Sequence, residues 1–186
     1  MKEIHQSILY KPVINIAGPP NSGKSTLASL LFSECKIKGC NCELVTEVAK
    51  DLVYEKSKYR IWNQPYVFGN QLARLIRVIE YIDFIITDSP IILSIVYTPE
   101  CFSSLENLVK QCFSYFNNYS YILPLHKDFS EKGRKHTKKE CILLSEKITN
   151  IVTENCKNTL ILENHNTTEN VEKIIEHAKL VNFFKK

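Results

Sequence analysis

Gly18-Pro19-Pro20-Asn21-Ser22-Gly23-Lys24-Ser25-Thr26 satisfies G-x-x-x-x-G-K-[ST] at every fixed position. The apolar run Val13-Ile14-Asn15-Ile16-Ala17 enters it, and the helical pattern Leu27-Ala28-Ser29-Leu30-Leu31-Phe32 leaves it. Strand, glycine-containing loop and helix together form the setting in which this pattern binds phosphate. Gly18 and Gly23 allow backbone conformations and close approaches that a Cβ would obstruct, so successive N–H groups can face phosphate oxygens. The N-terminus of the following helix adds positive potential. Lys24 is the candidate for reaching the β- and γ-phosphates, the Ser25 hydroxyl for a place on Mg²⁺, and Thr26 for a further phosphate contact. ATP and Mg²⁺ are therefore the expected ligands of residues 18–26.

The chain has 186 residues, 44% of them hydrophobic and 24% charged, as expected of one globular domain spanning 1–186. Its formal charge of +4 is too small to argue for a nucleic-acid partner. Much of that excess lies between Lys127 and Lys139 and at Lys185-Lys186. Seven cysteines without repeated C-x-x-C pairs suggest small buried apolar residues rather than a zinc site or a complete disulfide framework. The N-terminal residues lack a signal-peptide apolar region, and no run approaches the roughly eighteen apolar residues of a membrane span. A reduced, cytoplasmic protein without a membrane partner is the expectation.

Outward from the loop, the pattern predicts strands over 13–17, 42–46, 84–87, 119–124 and 159–163. Helices are predicted over 24–38, closed by Gly39, then over 46–56, 66–82 and 102–116, and from Thr137 to Asn155 and Thr168 to Val181. Ser57 to Arg60 and Asn63-Gln64-Pro65 read as polar turns, and Ile91 to Tyr97 as apolar without a deciding period. Thr137 and Glu140 form a capping box. Short apolar strands alternating with helices predict an α/β fold, a three-layer arrangement around a five-stranded parallel sheet. Ligands of such sheets sit at the carboxyl ends of the strands, where Gly18, Glu47, Asp88 and His126 fall.

Phosphoryl transfer needs an anion cradle, a metal, a group for the acceptor hydroxyl and cationic cover. Asp88, at the end of an apolar strand, is the candidate metal carboxylate with Ser25; its alternative is a cap for a helix opening at Asp88-Ser89-Pro90. Glu47, just past the second strand, is the candidate general base, with a helix-dipole role as its alternative and Asp51 one turn on as the fallback. Arg134, beside Gly133 and flanked by Lys132 and Lys135, is the candidate lid cation within about 126–136, and a solvated basic loop is the alternative. Gln71 and Arg74 are candidate acceptor contacts; with Arg77 they also read as a surface-facing polar stripe.

Taken with the loop, V-T-E-V-A-K-D-L (45–52), F-G-N-Q-L-A-R-L (68–75), I-I-T-D-S-P-I-I-L-S (85–94) and K-G-R-K-H-T (132–137) resemble the NadR-like P-loop ATPases and kinases common in phage genomes. These are related to the ribosylnicotinamide kinase domain of NadR. The resemblance runs from Val13 to about Thr137 and implies a kinase-type P-loop NTPase sheet of strand order 2-3-1-4-5. A looser similarity to deoxynucleoside kinases implies Glu47 as base and Gln71 as nucleobase reader. Those kinases carry an Arg-containing E-R-S after strand three, where this chain has Asp88-Ser89-Pro90. The expected activity is transfer of the γ-phosphate of ATP to a small nucleoside-like acceptor such as ribosylnicotinamide or a deoxynucleoside. A nucleoside monophosphate kinase, a polynucleotide 5′-kinase and a regulatory ATP-binding or ATP-hydrolysing switch are the alternatives.

Overall fold

The computed structural model describes residues 11–125 and 137–185. Five strands form one sheet: β1 (Pro12–Ala17), β2 (Cys42–Val45), β3 (Phe84–Thr87), β4 (Asn117–Ile122) and β5 (Asn158–Ile161). Every pairing is parallel and the order is β2-β3-β1-β4-β5, as the family resemblance implied. With β1 in the centre, its side chains alternate between two buried cores: Val13 and Ala17 enter one, Ile14 and Ile16 the other. Asn15 is the polar exception; its Nδ2 donates to Asn118 Oδ1 on the neighbouring strand at 2.9 Å.

Helices α1 (Lys24–Ile37), α2 (Val48–Tyr54), α3 (Lys58–Trp62), α4 (Gln64–Ile79), α5 (Ser94–Tyr97), α6 (Leu105–Ser114), α7 (Lys138–Asn155) and α8 (Thr167–His177) cover the sheet. Phe68, Leu75 and Ile79 of α4, Val109 and Phe113 of α6, and Ile148 and Val152 of α7 fill the first core. Leu27 and Leu31 of α1, with Val171 and Ile174 of α8, fill the second. Ile86 of β3 lies in this second core at 0% exposure. Ile86→Ala is therefore expected to cost about 2–5 kcal/mol in urea denaturation.

Several boundaries differ from the sequence expectation for local reasons. Residues 57–60, expected as a turn, largely belong to α3, a five-residue helix with no buried residue whose Trp62 meets Phe102 edge-on at 5.4 Å. Helix α4 begins at Gln64 rather than Tyr66, because the Asn63 side chain accepts from Tyr66 N–H at 3.2 Å and Pro65 fits the first turn. It ends at Ile79, three residues earlier than expected. The fourth strand starts at Asn117, its polar first residues having masked it. The undecided stretch 91–97 is a 3₁₀ turn, Ile91–Leu93, running into α5.

Gly39 follows α1 at φ +79°, as a helix-closing residue should. The Thr137 and Glu140 capping box is present at the start of α7. The last helix stops at His177, short of Val181; Lys179 at φ +54° breaks it before a 3₁₀ turn at Leu180–Phe183. Cys35, Cys40, Cys42, Cys141 and Cys156 are buried, whereas Cys101 is exposed. No helix among the described residues is long and apolar enough to cross a membrane.

Candidate active site at the carboxyl rim of the sheet

The parallel sheet brings the residues following β1, β2 and β3 to one rim. Between β1 and α1 the loop is shaped by three left-handed residues: Gly18 at φ +148°, Asn21 at +63° and Gly23 at +88°. A Cβ on Gly18 would lie 2.7 Å from Ser22 Oγ and 2.8 Å from the Leu123 carbonyl oxygen, so the approach to the backbone beside β4 requires glycine. Gly23 is the N-cap of α1 and no side chain caps that helix. Its first N–H groups thus remain available to an anion at the positive end of the helix.

Lys24 opens α1 and its Nζ donates to the Pro19 carbonyl at 2.9 Å, folding the ammonium back over the loop. Burial lowers its pKa, while the charges of Glu47 and Asp88 act in the opposite direction. Ser25 Oγ donates to Asp88 Oδ2 at 2.5 Å. Asp88, immediately after β3, is 4% exposed, and its other oxygen is buried without a hydrogen-bond partner among the described residues. The helix-cap alternative fails for Asp88: the following 3₁₀ turn has Pro90 at its N-cap position.

Such a pair fits Mg²⁺, with a hydroxyl oxygen and a carboxylate oxygen of unspent acceptor capacity side by side at the loop of residues 18–26. Among the described residues no three His, Cys, Asp or Glu side chains converge as a metal cage. Mg²⁺ suits this arrangement, since it is commonly held by one or two protein oxygens together with substrate phosphates.

Glu47 is the N-cap residue of α2, yet its side chain caps nothing and is directed elsewhere. Burial raises its carboxyl above the ordinary carboxylate range, Lys24 pulls it back down and Asp88 adds to the rise. Glu47, Lys24 and Asp88 line a common cleft of about 320 Å³ together with Gly18 and Pro20 of the loop. Its walls are largely apolar, from Val53 and Ile61 on one side to Pro90 and Leu93 on the other. Asp51, the fallback base, is instead paired with Arg74 and does not line the cleft. Asp51→Asn is accordingly expected to keep turnover within about fivefold of the parent, as for loss of a half-exposed ion pair, measured by steady-state kinetics.

Gln71 and Arg74 do not form the surface-facing stripe with Arg77. Gln71 is 3% exposed and lines the cleft, but its amide is engaged by backbone: Oε1 accepts from Val48 N–H at 2.9 Å and Nε2 donates to the Thr46 carbonyl at 3.3 Å. Arg74 is absent from the cleft wall and donates to the Thr46 carbonyl at 3.2 Å as well as to Asp51. Arg134, Lys132, Lys135 and His126 lie outside the described residues. Sequence reasoning missed Gln64, which is nearly buried in the cleft wall, and Tyr97, whose hydroxyl burial and the Glu47 charge push up to about 12. The undecided period of 91–97 hid Tyr97, and the turn assigned to 63–65 hid Gln64.

A second cleft of about 170 Å³ is lined by other residues of the same loop. Asn21, Ser22, Gly23 and Thr26 form one wall, and Thr167 and Asn170 from the start of α8 form the opposite one. Residues 18–26 thus contribute to the walls of two clefts.

No protein-family model matches the chain. No curated protein matches it by sequence. Solved structures do match by shape. A NadR protein in complex with NR aligns at TM-score 0.66 and 15% identity, covering 90% of this chain and 51% of that one. The fold is that of the P-loop kinases. Deoxyadenosine kinase from M. mycoides, with products dCMP and a flexible dCDP, aligns at TM-score 0.61 and 13% identity over 90% of this chain and 99% of that one. Shikimate kinase from Acinetobacter baumannii, in complex with shikimate, aligns at 0.53 and 12% over 97% and 99%. This chain spans about half the length of the NadR protein it matches.

Proposed function

We propose that the chain is an ATP- and Mg²⁺-dependent phosphotransferase acting on the hydroxyl of a small nucleoside-like acceptor. The observation that carries this reading is the phosphate-binding loop shared by two clefts, the larger of which also holds Glu47, Lys24 and Asp88. A hydrolytic switch needs room for water beside the γ-phosphate; a cleft of about 320 Å³ with apolar walls suits an organic acceptor. The smaller cleft, against Thr26 and Asn170, is assigned to the nucleoside end of ATP.

In this proposal Glu47 accepts the proton of the acceptor hydroxyl as its oxygen bonds to the γ-phosphorus and the bond to the β–γ bridging oxygen breaks, releasing ADP. Lys24 stabilises charge on the moving phosphoryl group, and Arg134 is assigned to the same task as lid cation. Mg²⁺, held by Ser25 and through water by Asp88, would neutralise charge on the β- and γ-phosphates. Lys24 is the one cation among the described residues lining the larger cleft. That supports an acceptor without a phosphate of its own, such as ribosylnicotinamide or a deoxynucleoside, over a nucleoside monophosphate, whose phosphate needs a second cation.

ADP release, measured with nucleosides, nucleoside monophosphates, ribosylnicotinamide and a 5′-hydroxyl oligonucleotide, tests the assignment. Stimulation by a nucleoside-like molecule that carries no phosphate is expected. ADP release that no acceptor stimulates would leave the regulatory ATPase as the better reading.

A further inference from the structure

We infer that Gln71 and Arg74 are positioning residues, a two-pronged clamp through which α4 holds the backbone on both sides of Glu47 and keeps its carboxylate directed into the cleft. Glu47 sits where β2 has ended at Val45 and α2 has yet to begin at Val48, so neither sheet ladder nor helix fixes it. Helix α2 is seven residues long, too short to hold itself. Its first N–H, on Val48, is an orphan donor that Glu47 leaves uncapped.

Gln71 fills that need with Oε1 at 2.9 Å and fastens the other side of Glu47 through Nε2 to the Thr46 carbonyl at 3.3 Å. Three residues along the same face, Arg74 donates to that carbonyl at 3.2 Å and to the Thr46 hydroxyl at 3.4 Å. Its Nη2 reaches Asp51, one turn into α2. Backbone positions 46 and 48 and side chain 51 are thus tied to one helix face, while the Glu47 carboxylate joins none of these bonds. A buried amide with both its oxygen and its nitrogen engaged by backbone is built to hold a segment in place.

The effect on turnover rests on the phosphotransfer reading above, whereas the clamp itself does not, and the experiment separates them. Gln71→Met keeps the bulk and removes both hydrogen bonds. Arg74→Met, at a less buried site, serves if the first variant fails to fold. Without any ligand, Gln71→Met is expected to speed amide exchange at Val48 and to displace the Glu47 carboxyl ¹³C resonance in NMR, and Arg74→Met, which leaves the Val48 bond in place, to displace the Glu47 resonance. With acceptor, Gln71→Met should lower kcat about tenfold or more with little change in acceptor KM. The loss should vanish in the Glu47→Gln background, because a residue acting through Glu47 has nothing left to position.

Unchanged Val48 exchange and an unmoved Glu47 resonance would overturn the inference. So would a kcat loss that persists in full on Glu47→Gln, or a raised acceptor KM with kcat intact, which would make Gln71 an acceptor contact. Should the parent protein show no acceptor-dependent turnover, the phosphotransfer reading falls and the two NMR readouts alone decide the clamp.

Discussion

Lys24→Ala is expected to lower acceptor-dependent turnover by about 10²–10³-fold, the scale for removing one preorganised group that meets transition-state charge. Lys24 is also expected to matter before chemistry. Its Nζ lies folded against the Pro19 carbonyl, partly desolvated, so the ammonium is positioned in advance and reaches an incoming phosphate at small reorganisation cost. ATP affinity should therefore fall in the same variant, read by equilibrium titration with a fluorescent ATP analogue. A pH effect accompanies it. The Lys24 charge holds the Glu47 carboxyl down against the rise caused by burial. Without that charge the acid limb of the kcat/KM profile should move to higher pH, since the base works only when deprotonated.

Glu47→Gln is expected to cost about a hundredfold or more in kcat, the range of a general base, while ATP affinity stays largely intact. The shape of the pH profile distinguishes this from a general structural defect. In the parent protein, activity should fall as pH drops through a pKa above the ordinary carboxylate range, because burial disfavours the charged carboxylate. In Glu47→Gln that limb should disappear. The substitution also removes a charge that supports protonated Lys24, whose pKa burial already lowers, so any alkaline limb due to Lys24 should shift to lower pH. Turnover unchanged in Glu47→Gln would exclude Glu47 as the base.

Legibility in the sequence followed the range of the interactions involved. The loop at 18–26 could be placed residue by residue because its chemistry is local: positive φ at Gly18 and Gly23, an uncapped helix start and a lysine at the first helical position all lie within nine residues. Asp88 and Glu47 could be placed because strand ends are readable and parallel strands deliver their carboxyl ends to one rim. The order of the strands is a long-range property that periodicity does not carry; it came from the resemblance to NadR-like kinases.

Gln71 reads in the sequence both as an acceptor contact and as part of a surface stripe with Arg74 and Arg77; the structure removes the stripe, because Phe68, Gln71, Leu75 and Ile79 recur at helical intervals and α4 buries all four. A polar residue on an apolar stripe signals a buried hydrogen-bonding task, here met by the backbone of Thr46 and Val48. The second cleft was illegible for another reason. Thr167 and Asn170 open the last helix about 140 residues from the loop they face, and nothing local separates them from ordinary capping residues.

The most direct measurement is the fate of the γ-phosphoryl group itself. ATP labelled at the γ-phosphate, incubated with the protein, Mg²⁺ and the acceptor that most stimulates ADP release, should yield label esterified to an acceptor hydroxyl in equal amount to the ADP formed. Recovery of the label as inorganic phosphate, at a rate indifferent to every acceptor, would contradict the two-cleft phosphotransferase.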